Sequence, residues 1–226
     1  MRNPKITLLL TLMFILTFLG LGRGEKIDYV VSLGKVELGK AQFNYPLNAY
    51  VEIDGRQATL MTFETNLINF IDKETIYSDP DSLLPIKIER DLRMWRSNEK
   101  ITERYDQHNF ILSITKLKGR RRQNFQIKKD RVIHNAILLP FYVRNVAGLN
   151  VGWTLIVQLP TRKFEIKLVA IEDVKVPAGI FKSYRFESSP KKFRIWISAD
   201  ERRIPLKILD SSVPAGYTLS MKEYHS

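Results

Sequence analysis

The chain contains no cysteine. That excludes disulfides, thiol catalysis, cysteine-ligated metal and a lipid attached to a cysteine behind an N-terminal apolar segment. Histidine is nearly as scarce: His108, His134 and His225 are the only three, and none lies two, three or four residues from another. A metal site needs several convergent ligands, so neither a metal nor a cofactor is expected. There is no Gly-x-Ser-x-Gly pentapeptide for a serine nucleophile, and Gly148 and Gly152 lack the following Lys-Ser/Thr of a phosphate-cradling loop. Acidic neighbours do occur, as Asp79/Asp81 and Glu172/Asp173. Glycosidases use two carboxylates about 5–10 Å apart, but turn-forming or solvated acids are the ordinary meaning of such pairs. A carboxylate-based hydrolase of envelope polymers therefore stands as an alternative, behind a non-enzymatic role. Beyond residue 24 no run is long and apolar enough for a membrane helix, which takes about 20 residues. Charges recurring within strands, as in Lys87-Ile88-Glu89-Arg90, speak against a transmembrane barrel.

What is present begins with the first 24 residues. Arg2 and Lys5 precede the 16 apolar-rich residues Ile6–Leu21, and Gly22-Arg23-Gly24 follows. A charged segment, an apolar stretch and small residues form the pattern of a cleaved export signal. Residues 1–24 are expected to direct the chain to the periplasm and be removed; retention at the inner membrane by an uncleaved N-terminal helix is the alternative. Residues 25–226 are expected to form a single β-rich domain, held by packing alone.

The whole chain has 36 Lys and Arg against 24 Asp and Glu. Without Arg2, Lys5 and Arg23 the balance is 33 against 24, a net charge of +9. The densest block runs from Lys116 to Arg131: Lys116, Lys118, Arg120, Arg121, Arg122, Lys128, Lys129 and Arg131 face one acid, Asp130. Gly119 starts a turn between two strand-like runs, so these groups are expected at the tip and flanks of one hairpin. In the cytoplasm such a hairpin would suggest a phosphate backbone. After export it points instead to an anionic lipid, lipopolysaccharide, an acidic glycan or an envelope protein, and to no nucleic acid. The bland reading is a charged hairpin that keeps a sheet edge from pairing with other chains.

Elsewhere the pattern alternates with period two. Val51 and Ile53 precede the turn signal Asp54-Gly55, and Gln57–Phe63 alternates after it. Leu84–Arg93, Asn109–Leu117, Phe164–Leu168, Phe193–Ile197 and Leu206–Asp210 read the same way, as antiparallel strands with one wet face. Val176-Pro177-Ala178-Gly179 and Val213-Pro214-Ala215-Gly216 read as turns. Asn66–Ile71 predicts a short helical turn. Ala136–Arg144 predicts a short helix or a buried loop, Pro140 opposing anything longer. Trp95, Trp153 and Trp196 are expected in the core.

Several segments carry a family resemblance. They are Glu172–Tyr184 with its Val-x-Val-Pro-x-Gly-x-Phe turn, Trp196-Ile197-Ser198-Ala199-Asp200, and Arg203-Ile204-Pro205-Leu206-Lys207. Ile137–Arg144 and Leu33–Gly39 extend the match. Together these resemble the bacterial exported family of domain of unknown function 3108. The resemblance implies a mainly β fold: a single, strongly curved, half-barrel-like antiparallel sheet with one or two short helices, in a periplasmic or envelope protein. It supplies no catalytic or ligand residues. The basic hairpin is not part of its pattern.

Overall fold

The computed structural model describes residues 24–46, 50–144, 146–211 and 216–226. The expected export signal and most of the second Val-Pro-Ala-Gly turn lie outside them.

The period-two segments become strands, and every pairing is antiparallel. The first half holds β1 (Gly24–Leu33), β2 (Val36–Pro46), β3 (Tyr50–Ile53), β4 (Arg56–Leu67), β5 (Phe70–Ser78), β6 (Pro85–Met94), β7 (Ser97–Asp106), β8 (Ile111–Lys118) and β9 (Arg121–Lys128). The second half holds β10 (Thr154–Gln158), β11 (Lys163–Val176), β12 (Gly179–Ser189), β13 (Phe193–Ser198), β14 (Pro205–Asp210) and β15 (Tyr217–His225). They form one sheet in the order β10-β11-β12-β13-β14-β15-β1-β2-β4-β5-β6-β7-β8-β9, with β3 paired to β4. The two halves join where β15, the last strand, pairs with β1.

The Asp54-Gly55 turn forms as its dipeptide predicts: both residues have positive φ, 51° and 73°, and Ile53 faces Arg56. Val176-Pro177-Ala178-Gly179 likewise connects β11 to β12.

Three expectations need correction. No helix occurs among the described residues. Asn66–Ile71 is a tight hairpin, because Asn69 takes φ 60° and lets Leu67 face Phe70 across the turn. Ala136–Arg144 is the buried loop of its two options. Most of its bonds link residues three apart, Leu139 N–H to Ala136 O, Phe141 N–H to Leu138 O and Arg144 N–H to Phe141 O, with a single four-residue bond from Tyr142 N–H to Leu138 O. Pro140 has no N–H to extend them into a helix. The strong curl is also absent: the sheet stays open, ending at β9 and β10, its curvature is modest, and its core lies in two clusters along it.

The long connection between β9 and β10 lies on the sheet's inner face. It gives Ile133, Leu138 and Phe141 to one cluster and Leu139, Val143 and Leu149 to the other. Phe141 stacks on Phe43 with ring centroids 4.3 Å apart. Gln107 holds its start by two bonds, donating to Ile133 O at 2.8 Å and accepting from Ile133 N–H at 2.9 Å.

Candidate functional site

A large sheet offers three kinds of site: its inner face, a cluster of polar side chains, or its rims and edges. The inner face is occupied by the protein itself. Residues 133–144 and 146–149 pack over it, and a cavity of about 90 Å³ lies between Tyr29, Phe43, Phe63, Phe141, Ile195 and Tyr217. That is smaller than the roughly 150 Å³ cavity that admits a benzene ring.

The connection is clamped by residues from the segments that carried the resemblance. Arg144 forms a two-pronged ion pair with Glu25, at 2.5 and 2.8 Å, with Glu25 only 4% exposed. The guanidinium also sits 4.6 Å from the Phe141 ring centre. Arg203 donates to three carbonyls at the end of the loop, those of Val143, Arg144 and Val146. Ser198 Oγ donates to Asp200 and accepts from Ile204 N–H, which fixes the β13–β14 turn that carries Arg203. Tyr29 donates its hydroxyl to Pro205 O. The Arg-x-Pro-Leu and Trp-x-Ser-x-Asp motifs are therefore fastenings of this loop.

Of the acidic pairs seen in the sequence, Asp79 caps its own turn, accepting from the N–H groups of Asp81 and Ser82, and those bonds hold its carboxyl low. Glu172 accepts from Trp196 Nε1 at 2.9 Å and pairs with Arg185, while Asp173 is exposed. The carboxylates that do converge are others. Asp72 and Glu74, neighbours on the inner face of β5, both meet Arg90 of β6. Both prongs of the guanidinium engage Asp72, leaving Glu74 a single 3.3 Å approach from Nε. Burial therefore wins at Glu74, whose carboxyl is pushed up to about 7. Tyr217, hydrogen-bonded to Asp210 close by, is pushed up as well, first by burial.

The histidines have separate places. His134 is buried against Tyr142 and accepts from Gln158 N–H through Nδ1, and burial lowers its pKa. His108 is exposed in the β7–β8 turn. His225 is the last residue of β15 and faces Lys26; it stands 3.3 Å from Glu223 and 3.8 Å from Asp28, a group compact enough for one ion. Asp28 is already engaged by Lys26 at 3.3 Å and Gln42 at 2.7 Å, so a cation would compete with the Lys26 ammonium for the carboxylate. Sequence spacing hides this trio because β1 and β15 come from opposite ends of the chain.

The basic block forms the expected hairpin, β8–β9, with Lys118 facing Arg121 across the turn. It does not form one patch. Lys116, Lys118, Arg120, Arg121 and Arg122 gather at the turn. Lys128, Lys129 and Arg131 lie at the other end of β9, about 24 Å away at 3.4 Å per residue. There Lys129 N–H bonds Phe110 O and Arg131 pairs with Asp130. The turn group also divides between faces: Lys116, Lys118 and Arg121 share the face of Leu112, and Arg122 takes the opposite one. Lys116 lies 4.0 Å from Glu99 and 5.8 Å from the Phe125 ring centre. β9 is the open edge of the sheet, exposed along nearly its whole length.

The tryptophans divide. Trp196 is buried and Trp153 packs edge-on against Phe186. Trp95 is 78% exposed in the β6–β7 turn, against expectation. Its neighbours foretell this: Arg93 and Arg96 flank Met94-Trp95, and Ser97-Asn98 follows. A core strand would not carry that cluster.

A family model described as "Protein of unknown function (DUF3108)" matches residues 28–222. No curated protein matches the chain. Among solved structures, a beta-barrel-like protein of domain of unknown function DUF1849 from Brucella abortus aligns with TM-score 0.49 and 8% identity, over 89% of this chain and 96% of that one.

Proposed function

The chain belongs to the DUF3108 family of proteins of unknown function, and from that premise we propose that it is an exported, non-enzymatic protein of the bacterial envelope that docks on an anionic surface through the β8–β9 turn. The observation that carries this reading is the group of five cations, Lys116, Lys118, Arg120, Arg121 and Arg122, at the end of an exposed edge hairpin. Four of the five are exposed, and Glu99, 4.0 Å from Lys116, is the one acid paired with the group among the described residues. Unneutralised charge held on a rigid ladder acts at long range on an oppositely charged partner. The N-terminal pattern of charge, apolar stretch and small residues supports export, and export makes envelope material the anion at hand.

Each Lys or Arg near an anionic membrane contributes roughly 1 kcal/mol, so Arg120, Arg121 and Arg122 together are worth about 3 kcal/mol, on the order of a hundredfold in affinity. The test is co-sedimentation of the full chain with vesicles containing phosphatidylglycerol at low salt, against the triple variant R120A/R121A/R122A. Binding that weakens by that order and fades with added salt supports the reading. Equal binding by both proteins removes it.

A further inference from the structure

The registers place four hairpin turns along one rim of the sheet. Leu33 faces Val36, Leu67 faces Phe70, Phe70 faces Met94, Met94 faces Ser97, Glu99 faces Lys118, and Lys118 faces Arg121. From β1 to β9 this rim crosses seven strand-to-strand steps, about 34 Å at 4.8 Å each. The turns display apolar side chains that the fold leaves outside: Val36 is 63% exposed, Ile68 81% and Trp95 78%, with Met94 and Leu117 also in the open. Such residues at the tip of a hairpin gain nothing from exposure in water.

Charge follows the same geometry. Residues 33–37, 67–70, 93–99 and 117–122 hold seven basic side chains, Lys35, Arg93, Arg96, Lys118, Arg120, Arg121 and Arg122, against two acids, Glu37 and Glu99. The turns on the opposite rim, residues 53–56, 78–84 and 106–110, hold Arg56 against Asp54, Asp79, Asp81 and Asp106, and the end of β9 beside them adds Lys128, Lys129 and Arg131 against Asp130. None of their side chains is among the exposed large apolar ones. Over β1 to β9 one rim is thus strongly basic with apolar tips, and the other nearly balanced without them. That pairing of features is the requirement for lying in the headgroup layer: cations on lipid phosphates, and Trp and aliphatic groups sunk roughly 5–10 Å to the acyl boundary.

We propose that this rim docks edge-on into an anionic lipid bilayer, with Val36, Ile68 and Trp95 entering the headgroup–acyl boundary beneath the cations of the β6–β7 and β8–β9 turns. The inference rests on the anionic-surface reading above and narrows it, committing to a bilayer over a soluble glycan or an envelope protein. It also fixes orientation. Gly24 faces Pro46 on the opposite rim. A membrane anchor formed by the residues before Gly24 would hold that rim, and would leave Trp95 far from lipid.

Trp95 is its own reporter. The full chain is mixed with phosphatidylglycerol–phosphatidylcholine vesicles whose acyl chains carry bromine, and tryptophan quenching is read against W95F, which isolates the Trp95 signal. Dextran sulfate serves as a soluble polyanion. The expected result is a blue shift and strong quenching of Trp95 with the anionic vesicles and no such shift with dextran sulfate. Partitioning should weaken about tenfold for each of I68S and W95S, the effect of withdrawing one large apolar side chain from a half-buried site. Because both residues are already exposed, neither substitution disturbs the core. Binding that depends on Arg120, Arg121 and Arg122 and on salt, with Trp95 unquenched and I68S and W95S unaffected, overturns the insertion and leaves the electrostatic docking standing. No binding to anionic vesicles at low salt overturns both.

Discussion

Glu74 gives the sharpest test of the interior. Its carboxyl lies on the inner face of β5, shares Arg90 with Asp72, and is pushed from 4.5 up to about 7, chiefly by burial. The folded state therefore holds a proton on Glu74 more tightly than the unfolded chain does. Stability from this group is complete below pH 4.5, declines as pH rises, and reaches its floor above about 7. A rise of that size corresponds to about 3 kcal/mol lost across the interval, at 1.36 kcal/mol per pKa unit. Glu74→Gln keeps the shape of the protonated group and removes the titration. The variant should match the parent near pH 4.5 and exceed it by about 3 kcal/mol at pH 8. The assay is urea unfolding at half-unit pH steps, plotted as variant minus parent so that other titrating groups cancel. Arg90 should remain satisfied in the variant, because Asp72 takes both its prongs. A gap independent of pH, or a variant weaker than the parent at pH 8, would refute the reasoning. It would mean that Arg90 serves Glu74 as fully as Asp72 and holds it ionised.

Three further outcomes are expected. Glu25→Gln should cost about 3 kcal/mol in urea unfolding, because it strands Arg144 in a site only 16% exposed; the apolar pair E25L/R144M should recover much of that loss. Arg203→Lys should loosen the end of the loop, since one ammonium cannot reproduce the guanidinium's fixed bonds to Val143, Arg144 and Val146; faster amide exchange confined to residues 136–146 is the readout. His134, whose pKa is lowered by burial, should oppose Glu74: its contribution is present above pH 6.5 and is lost as pH falls through the lowered folded value, and His134→Gln should flatten the acid limb of the stability profile.

The strands were legible because much of one face of this sheet is wet, so alternation survives in the sequence, most cleanly from Phe164 to Leu168. The Asp54-Gly55 and Gly119 turns were legible because positive φ demands those residues. Asn66–Ile71 misled because Leu67, Ile68, Phe70 and Ile71 look like an apolar helical face, while a single Asn at positive φ decides for a hairpin. The charge block was visible, but its division was not. Eight cations within sixteen residues read as one cluster until a β-strand spreads them over about 24 Å. Arg90 reaches Asp72 and Glu74, and Asp28 reaches Glu223 and His225, only through cross-strand register, and nothing local records that.

The two misread segments and the basic block bear on one question. Ile68 was expected in a helical turn and Trp95 in the core, and each assignment would have given an apolar side chain somewhere to hide. In the sheet both stand at hairpin tips on the same rim, Ile68 four strands and Trp95 two strands from the β8–β9 turn. A charged edge hairpin alone is explained by the need to stop strands from adding to β9. That need places no demand on the tips of internal hairpins: β4–β5 and β6–β7 have both edges paired, so their tips could be polar without cost to the sheet. Edge protection thus accounts for Arg121 and Arg122 but leaves Ile68 and Trp95 without a reason. Docking on a lipid surface accounts for all four, because it uses the cations and the apolar tips of one rim together.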